Sequence, residues 1–465
     1  MLDIPFERFV LDNGLRVILH RDPTSPLVAV DLWYHVGSKD EQPGRTGFAH
    51  LFEHLMFMGS AHAPYPSFDA TMETWGGHNN GTTSNDRTNY YEIGPANVLE
   101  TFLWLEADRL ATLPSVITDD ELGRQRKVVQ NERRQSYENR PYGRAELIVP
   151  ETMYEPSHPY HWPVIGSHED LEAATVADVR AFFDRFYRPS NASLVIAGDF
   201  EAATARRLVE RYFGWLPARP APPPVTATVQ QLVEDRRLIV PDRVQLPRLR
   251  VEWHSPALFS AGDAELDLAA QILGGGKSSR LYKSLVFEQR CAQDAWAYQS
   301  SLQLGSLFGV SVTAKPGQGL EAIEGAANAV IDRLATDGPT TEELERARNS
   351  HFADFYKSID NLQTRADLLN HYERLLGDPG GMSRDLARYS RATTRSIRDA
   401  FAAMIGGKRL VLTIVPDPSA ATAARTGDGD GDGGGDEAGP SDIDQGGADD
   451  EAEDADETDI LEIGA

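Results

Sequence analysis

The segment His50-Leu51-Phe52-Glu53-His54 constrains this chain more than any other part of its sequence. Residues four apart lie one turn above each other on the same face of an α-helix, so a helix would let both histidines reach one metal ion. Glu53 borders that face and could reach a water on the ion without being a ligand. The pattern therefore predicts a helix, with His50 and His54 as zinc ligands and Glu53 as the general base.

The residues around this segment favour a helix with one apolar side. Apolar residues recur at helical spacing at positions 48, 51, 52, 55 and 56. Thr46 is predicted to cap the helix at its N-terminus, and Gly59 is predicted to stop it. The alternative is that the histidines and the glutamate are ordinary polar residues on a helix that packs through its other face. We prefer the metal interpretation because a third ligand is available.

A catalytic zinc ion needs a third protein ligand and one open position. Glu132 is the best candidate, because it lies in a predicted helix that opens with a capping box between Thr118 and Glu121. A second helix of this kind could cross the first and offer a carboxylate to the same ion. Three other glutamates remain chemically possible, and the sequence leaves them open: Glu106, Glu121 and Glu138.

The histidine segment, followed by Asn131-Glu132-Arg133-Arg134, resembles the inverted zinc-binding motif of the pitrilysin, insulin-degrading and mitochondrial-processing peptidases. The third ligand in that family is a glutamate far beyond the second histidine, and Glu132 lies 78 residues after His54. The resemblance covers the chain up to about Pro416. It implies one zinc ion per chain, held by His50, His54 and Glu132.

The resemblance also implies a strand that binds substrate and a residue that supports the ligands. Asn80, Gly81, Thr82 and Thr83 resemble the family's edge strand, to which an extended peptide adds through its backbone. Asn80 is the candidate for a side-chain contact with substrate, although an asparagine beside glycines is more often a turn residue. The family has a glutamate seven residues before the third ligand, where this chain has Gln125. Its amide either accepts a hydrogen bond from a ligand histidine or faces solvent.

Length and composition indicate more than one domain. A chain of 465 residues exceeds what one hydrophobic core normally serves, and 41% apolar with 25% charged residues is ordinary for a globular protein. A proline-rich stretch at 218–225 breaks the chain near its midpoint. Each half begins with predicted strands, at 15–19 and 28–36 in the first and at 236–240 and 249–253 in the second.

The two halves also end alike, with a predicted helix and strand at 176–187 and 192–198 in the first and at 394–405 and 409–415 in the second. We therefore expect an α+β fold of two similar domains, each a mixed β-sheet with helices packed on one side. The predicted boundaries are a zinc-binding catalytic domain at 1–217, a linker at 218–228, a homologous domain without metal at 229–416 and a disordered acidic tail at 417–465.

The net charge of −26 comes mainly from the tail. Residues 418–465 hold sixteen acidic residues and one basic residue, which leaves −11 for the rest of the chain. This composition is typical of disorder, and the lack of a basic stripe argues against nucleic acid as a partner. No apolar run of about 18 residues and no signal-peptide pattern is visible, so we expect no membrane association and a cytoplasmic location. A single cysteine, Cys291, excludes an intrachain disulfide.

The second half lacks the histidine segment and departs from the resembled family in a further way. Active members draw an arginine and a tyrosine from a second-half domain to stabilise the oxyanion, and those positions hold Val286 and Gln293 here. Arg290, Tyr282 and Tyr298 lie nearby but off the expected spacing. We expect a related subunit without zinc to supply these groups in a heterodimer or larger assembly, with a homodimer as the other possibility.

The resulting hypothesis is a zinc endopeptidase that cleaves short or unfolded peptides with a metal-activated water. The resemblance suggests this activity, and the residues in 50–54 give it a mechanism. The competing hypothesis is a polypeptide-binding or scaffold subunit that keeps the zinc site but has lost efficient chemistry. The missing arginine and tyrosine are what keep that alternative open.

Overall fold

The computed structural model describes residues 4–417, in which eleven strands and fourteen α-helices form two mixed sheets with helices on both sides. The strands are β1 (Glu7–Val10), β2 (Arg16–Arg21), β3 (Leu27–Tyr34), β4 (His78–Thr83), β5 (Thr88–Pro95), β6 (Ala192–Gly198), β7 (Arg236–Asp242), β8 (Arg248–Ser255), β9 (Ala292–Ser300), β10 (Ser306–Ala314) and β11 (Arg409–Pro416). The helices are α1 (Phe48–Met56), α2 (Ser67–Trp75), α3 (Leu99–Val116), α4 (Asp119–Arg133), α5 (Arg144–Met153), α6 (His168–Ala173), α7 (Val176–Phe186), α8 (Ala202–Phe213), α9 (Asp263–Gly274), α10 (Leu320–Asp337), α11 (Thr341–Ser358), α12 (Leu362–Leu376), α13 (Met382–Arg391) and α14 (Thr394–Ile405).

The two sheets share one topology. The first has the order β1-β2-β6-β3-β5-β4 and the second has the order β7-β11-β8-β10-β9. In the first sheet β2 pairs in parallel with β6, as β7 does with β11 in the second, and the other pairs are antiparallel. Only the extra strand β1 distinguishes the two arrangements among the described residues. The predicted α+β class with two similar mixed sheets is therefore confirmed.

The central strand of the first sheet, β6, shows why residues 194–197 form an unbroken apolar run. Every residue of β6 is buried. Leu194 and Ile196 point into a core with α1, α3, α7 and α8, whereas Val195 and Ala197 point to the opposite face. Both faces of this strand are covered, so the side chains of residues 194–197 are buried and apolar on either face, and the sequence there does not alternate between apolar and polar residues.

Each sheet receives one helix from the other half of the chain. Helix α12 packs Ala366, Leu369 and Tyr372 against the first sheet, on the face that carries Val195. Helix α5 likewise packs Ala145 and other apolar residues against the second sheet, where they meet Leu410, Leu412 and Ile414. Helices therefore lie on both sides of each sheet, one side being covered from the other half. Full burial of each leucine or isoleucine side chain in these contacts contributes about 1.5–3 kcal/mol, so the two halves stabilise each other.

The predicted elements agree with the structure to within a few residues. The strand 192–198 and the helix 394–405 match β6 and α14 at both ends, and 15–19 corresponds to β2. The domain boundaries stay a prediction, although residues 218–228 do separate the two sheets along the chain. The acidic tail falls outside the described residues apart from Asp417. No helix within 4–417 combines the length and the apolar character that crossing a membrane requires.

Candidate metal centre

The N-terminus of α1 is held by a carboxylate that the sequence did not reveal. Gly47 precedes the helix with a φ of 82°, and its N–H donates to Oε2 of Glu41 at 2.9 Å. The N–H of Ala49 donates to Oε1 of the same residue at 2.7 Å. A carboxylate here satisfies free helix N–H groups and complements the helix dipole. Burial raises the pKa of Glu41, and these two hydrogen bonds oppose that rise.

The predicted cap and stop of α1 are wrong in detail. Thr46 does not cap the helix; its hydroxyl donates to Oδ2 of Asp170 at 2.6 Å and so ties the helix start to α6. The helix ends at Met56, three residues before Gly59, whose φ of 93° instead serves the following turn. Gly47 could have been suspected as the last residue before the helix, because a positive φ favours glycine.

The apolar side of α1 fixes the direction of its polar side. Leu51, Phe52 and Leu55 are fully buried, and the ring of Phe52 lies 4.4 Å from that of Tyr187 between centroids. An α-helix turns by about 100° per residue, so positions 51, 52 and 55 fall on one side of it and positions 50 and 54 fall on the other. The packing therefore presents His50 and His54 on the opposite side of the helix.

The structure brings His50, His54 and Glu132 together. Nε2 of His50 lies 3.5 Å from Oε1 of Glu132, and Nε2 of His54 lies 3.2 Å from Oε2. One ligand atom from each residue falls within 4.8 Å of the others, and no other such trio of metal-binding side chains occurs within 4–417. Two imidazole nitrogens and a carboxylate oxygen form a donor set that suits zinc. Glu132 is the most open of the three, with 38% of its side chain exposed, so solvent reaches the group from that side.

Helix α4 carries Glu132 and is stabilised by side-chain contacts at both of its ends. Its N-terminus has the predicted capping box, in which Oγ1 of Thr118 accepts from the N–H of Glu121. After Arg133 the chain continues as a π-helical turn to Glu138. Oε1 of Glu138 accepts from Nη1 of Arg133 and faces Nε2 of His168, both at 2.9 Å. This brace immobilises the residue next to Glu132.

The other candidate glutamates are occupied elsewhere. Glu121 accepts the hydrogen bonds of the capping box, and Glu138 forms the brace. Glu106 is buried against the guanidinium of Arg109. Among the glutamates that the sequence left open, the structure therefore brings only Glu132 to the histidines.

The electrostatics of the group follow from its partial burial. Burial lowers the pKa of His50 to about 4, so the ring is neutral at pH 7 and its nitrogens can act as ligands. Burial would raise the pKa of Glu132, but the hydrogen bond from His54 and the two imidazoles keep it below its ordinary value. A neutral His50 ring beside an ionised carboxylate matches the protonation states that metal binding requires.

Glu53 lies between the histidines and the edge strand β4. Oγ1 of Thr83 donates to its Oε2 at 2.5 Å, and a Cβ added at Gly81 would come 3.1 Å from its Cγ. Burial raises the pKa of Glu53, while the hydrogen bond from Thr83 opposes the rise. A carboxylate with a raised pKa is a better proton acceptor near neutral pH. The structure therefore joins the predicted base to the predicted substrate strand.

Strand β4 is the last strand of the first sheet, and within 4–417 no strand pairs with its outer edge. In the β4–β5 hairpin, the N–H of Ser84 donates to the carbonyl of Arg87 at 2.9 Å, and Thr82 faces Asn89 in register. Antiparallel pairing then alternates, so the backbone groups of Gly81 and Thr83 point away from β5. The N–H of Gly81 is covered by Oδ1 of Asn80 at 2.9 Å, a contact that a substrate carbonyl would replace.

Gln125 is buried, so the alternative that it faces solvent is wrong. Its Nε2 donates to Sδ of Met58 at 2.7 Å. The buried Nδ1 of His50 has no hydrogen-bond partner within 4–417, so the structure does not pair it with Gln125. The amide therefore packs beneath α1 instead of holding a ligand ring.

The second half supplies no arginine and tyrosine at the positions that the resemblance pointed to. Val286 packs against the core of the second sheet, and Gln293 is exposed on β9. Tyr298 is engaged, because its hydroxyl donates to the buried carboxylate of Glu252. Arg290 is exposed with a φ of 54°.

Comparison with known proteins gives a consistent result. The profile described as "Insulinase (Peptidase family M16)" matches residues 16–159, and the profile described as "Peptidase M16 inactive domain" matches residues 173–350. The zinc protease PqqE of Helicobacter pylori is 30% identical over 367 residues, which cover 78% of this chain and 81% of that protein. The uncharacterized zinc protease YmxG of Bacillus subtilis is 24% identical and covers 80% of this chain and 88% of its own.

Solved structures have the same fold. A protease from Helicobacter pylori superposes with a TM-score of 0.83 at 27% identity, covering 89% of this chain and all of that one. The periplasmic protease PqqL of Escherichia coli superposes with a TM-score of 0.74 at 19% identity. The match covers 90% of this chain but 49% of PqqL, so PqqL is about twice as long as the matched region.

Proposed function

Because this chain belongs to the M16 insulinase family of zinc peptidases, we propose that it is a zinc-dependent endopeptidase that cleaves short or unfolded peptides. The convergence of His50, His54 and Glu132 beside Glu53 carries the proposal. Three ligands leave one position of a tetrahedral zinc site open, which is typical of a catalytic site.

The residues of this chain divide the chemistry among them. His50, His54 and Glu132 would hold one zinc ion, which when bound acidifies water and polarises a peptide carbonyl. Thr83 fixes Oε2 of Glu53 and leaves Oε1 to take the proton of the attacking water. Glu53 then delivers that proton to the leaving nitrogen.

The free edge of β4 supports the proposed substrate class. The backbone groups of Gly81 and Thr83 would hydrogen-bond an extended peptide whatever its sequence. Most strands of a folded protein are already paired, so an unfolded or short chain offers a free strand to this edge most readily. A Cβ added at Gly81 would come 3.1 Å from Cγ of Glu53, which supports a substrate strand lying beside the base.

We further propose that a related subunit completes the site. Val286 offers no hydrogen-bond donor, and Gln293 has a neutral amide where the resemblance expects a tyrosine; the loss of one oxyanion donor typically costs about a hundredfold or more in rate. PqqL carries this fold in the first half of a longer chain, which supports pairing with a second unit of similar size. A homodimer and a heterodimer with a zinc-less relative are both compatible with this argument.

Replacing Glu53 by glutamine tests the proposed function. Glu53→Gln should retain zinc and lose cleavage of an unfolded peptide, and a chelator should abolish cleavage by the wild type. Glu73→Gln is the matched control, because Glu73 is exposed on α2 and undergoes the same chemical change. Turnover by Glu53→Gln at the rate of the control would refute the assignment of the base.

A polypeptide-binding subunit without efficient chemistry is the second candidate, and the residues at positions 286 and 293 favour it. The assay should therefore be run on the chain alone and mixed with a zinc-less relative. Cleavage only in the mixture supports the paired enzyme. Peptide binding without cleavage in either sample supports the scaffold.

A further inference from the structure

The two faces of β4 differ in what an added peptide would meet. Thr83 and Gly81 contact Glu53, and Asn79 donates to Asp69 on α2, so these residues share the metal-facing side. Side chains alternate along a strand, which places Thr82 on the opposite side. A peptide paired with β4 would also alternate, and every second side chain would lie on the side of Thr82.

A guanidinium is fixed on that opposite side. Nη1 of Arg87 donates to the carbonyl of Thr82 at 3.1 Å, to the hydroxyl of Thr82, and to Oδ1 of Asn89 at 3.2 Å. Its Cζ lies 5.1 Å from the centre of the Trp33 ring, a cation–π contact. The group is therefore held in place by neutral partners on β3, β4 and β5.

The charge of Arg87 is not neutralised by an ion pair. No carboxylate within 4–417 lies within 4.0 Å of its guanidinium nitrogens, and Nη2 has no hydrogen-bond acceptor in the same range. Burial, followed by the charge of Asp367, raises the pKa of Asp31 well above its ordinary value. Asp367 accepts hydrogen bonds from Trp33 and Asn89, so it lies behind the neutral partners of Arg87 and beyond ion-pair distance from the guanidinium. A preorganised, unpaired guanidinium favours a carboxylate partner, because charge-assisted hydrogen bonds are the stronger ones.

We propose that Arg87 determines substrate specificity by binding an acidic side chain of the peptide on the Thr82 side of β4. The proposal rests on the proposed function, because it assumes that substrate pairs with β4. Glutamate is the better fit, since its longer side chain can reach from the next strand to the guanidinium. Every second side chain of the bound peptide lies on the Thr82 side, so the preference for glutamate must appear only at alternate peptide positions, either the odd or the even ones.

A glutamate scan of a labelled, unfolded, otherwise neutral peptide tests this, with binding measured by fluorescence anisotropy. The protein is the full chain carrying Glu53→Gln, which prevents turnover. Glutamate should tighten binding about fivefold at one or two positions of the same parity, and salt should reduce the effect. Arg87→Glu should reverse the preference so that lysine binds better at those positions, and Arg87→Lys should keep the preference for glutamate.

Arg206→Glu is the matched control. Arg206 stacks on Phe9 at the opposite edge of the sheet, and its replacement changes the net charge by the same amount. Equal binding of all scanned peptides, or a reversal by Arg206→Glu as well, would overturn the proposal. The proposal would also be overturned if none of the glutamate-containing peptides bound to the Glu53→Gln chain. The melting temperature of Arg87→Lys, compared with that of the wild type, shows whether substitution at this position leaves the protein folded. Cleavage of the peptide that binds best is measured separately with the wild-type chain. A binding preference for glutamate without cleavage would refute the proposed function but would leave the proposed role of Arg87 standing.

Discussion

One part of the junction between the two halves of the chain is organised around a buried carboxylate, Asp86. Oδ1 of Asp86 accepts from the hydroxyl of Tyr160 at 2.6 Å, and its Oδ2 accepts from the N–H of Gln303 in the β9–β10 turn at 3.0 Å. Nζ of Lys39 lies 3.9 Å from the same carboxylate, and the N–H of Leu304 donates to the Tyr160 hydroxyl. Asp86 sits in the β4–β5 turn, so this junction ties the substrate strand to the second half.

The size of the effect follows from burial. Asp86 is fully buried, so each hydrogen bond to it exchanges little with water. Tyr160→Phe removes a hydrogen bond to a charged group, which costs about 1.5–3 kcal/mol. Asp86→Asn removes the charge beside Lys39 and should cost about 3 kcal/mol or more. In Asp86→Asn the Tyr160 hydroxyl has already lost its charged acceptor, so adding Tyr160→Phe removes little more. The free energy of unfolding lost by the double variant should therefore be about 1.5–3 kcal/mol smaller than the sum of the losses of the two single variants.

The assay is a double-mutant cycle on the free energy of unfolding in urea. Tyr142 supplies a matched control, because its hydroxyl donates to the carbonyl of Leu246 at 2.9 Å, also between the two halves, and this hydrogen bond shares no partner with Asp86. Asp86→Asn and Tyr142→Phe should therefore be additive within about 0.5 kcal/mol. Additivity of Asp86→Asn with Tyr160→Phe would refute the reasoning.

Three further outcomes are expected. Thr83→Val should lower kcat about tenfold by releasing Oε2 of Glu53, whereas Thr83→Ser should retain it; steady-state kinetics decides. Burial and a neighbouring carboxylate raise the pKa of Asp267 to about 8, so the folded protein keeps a proton that the unfolded chain releases. The free energy of unfolding then falls as pH rises from about 4 to about 8. In urea titrations, the free energy of unfolding of Asp267→Asn should rise relative to that of the wild type over the same pH range. Glu138→Ala should weaken zinc binding about tenfold in competition with a chelating dye, because the brace beside Glu132 is lost.

Local patterns in the sequence were enough to predict much of the site. The spacing of His50 and His54 and the apolar residues between them require a helix, and the capping box at Thr118 marks the start of the helix that carries Glu132. Such signals depend on residues a few positions apart. They survive tertiary packing because the packing uses the same periodicity.

Features that depend on distant residues could not be predicted in this way. Nothing local to Glu41 shows that its carboxylate will meet the N-terminus of α1, because an acidic residue in a loop is usually solvated. The apolar face of α12 predicts that it packs on something, but not that it crosses to the first sheet. Arg87 falls in the same class, since its acceptors come together only when β4 and β5 pair.

The position of the metal tests the central claim most directly. Crystals of the protein purified with zinc should be measured at the zinc absorption edge. The account predicts one anomalous peak per chain, about 2.0–2.2 Å from a nitrogen of His50, a nitrogen of His54 and a carboxylate oxygen of Glu132. A peak bound by other residues, or a Glu132 carboxylate turned away from a metal that the two histidines hold, would contradict it.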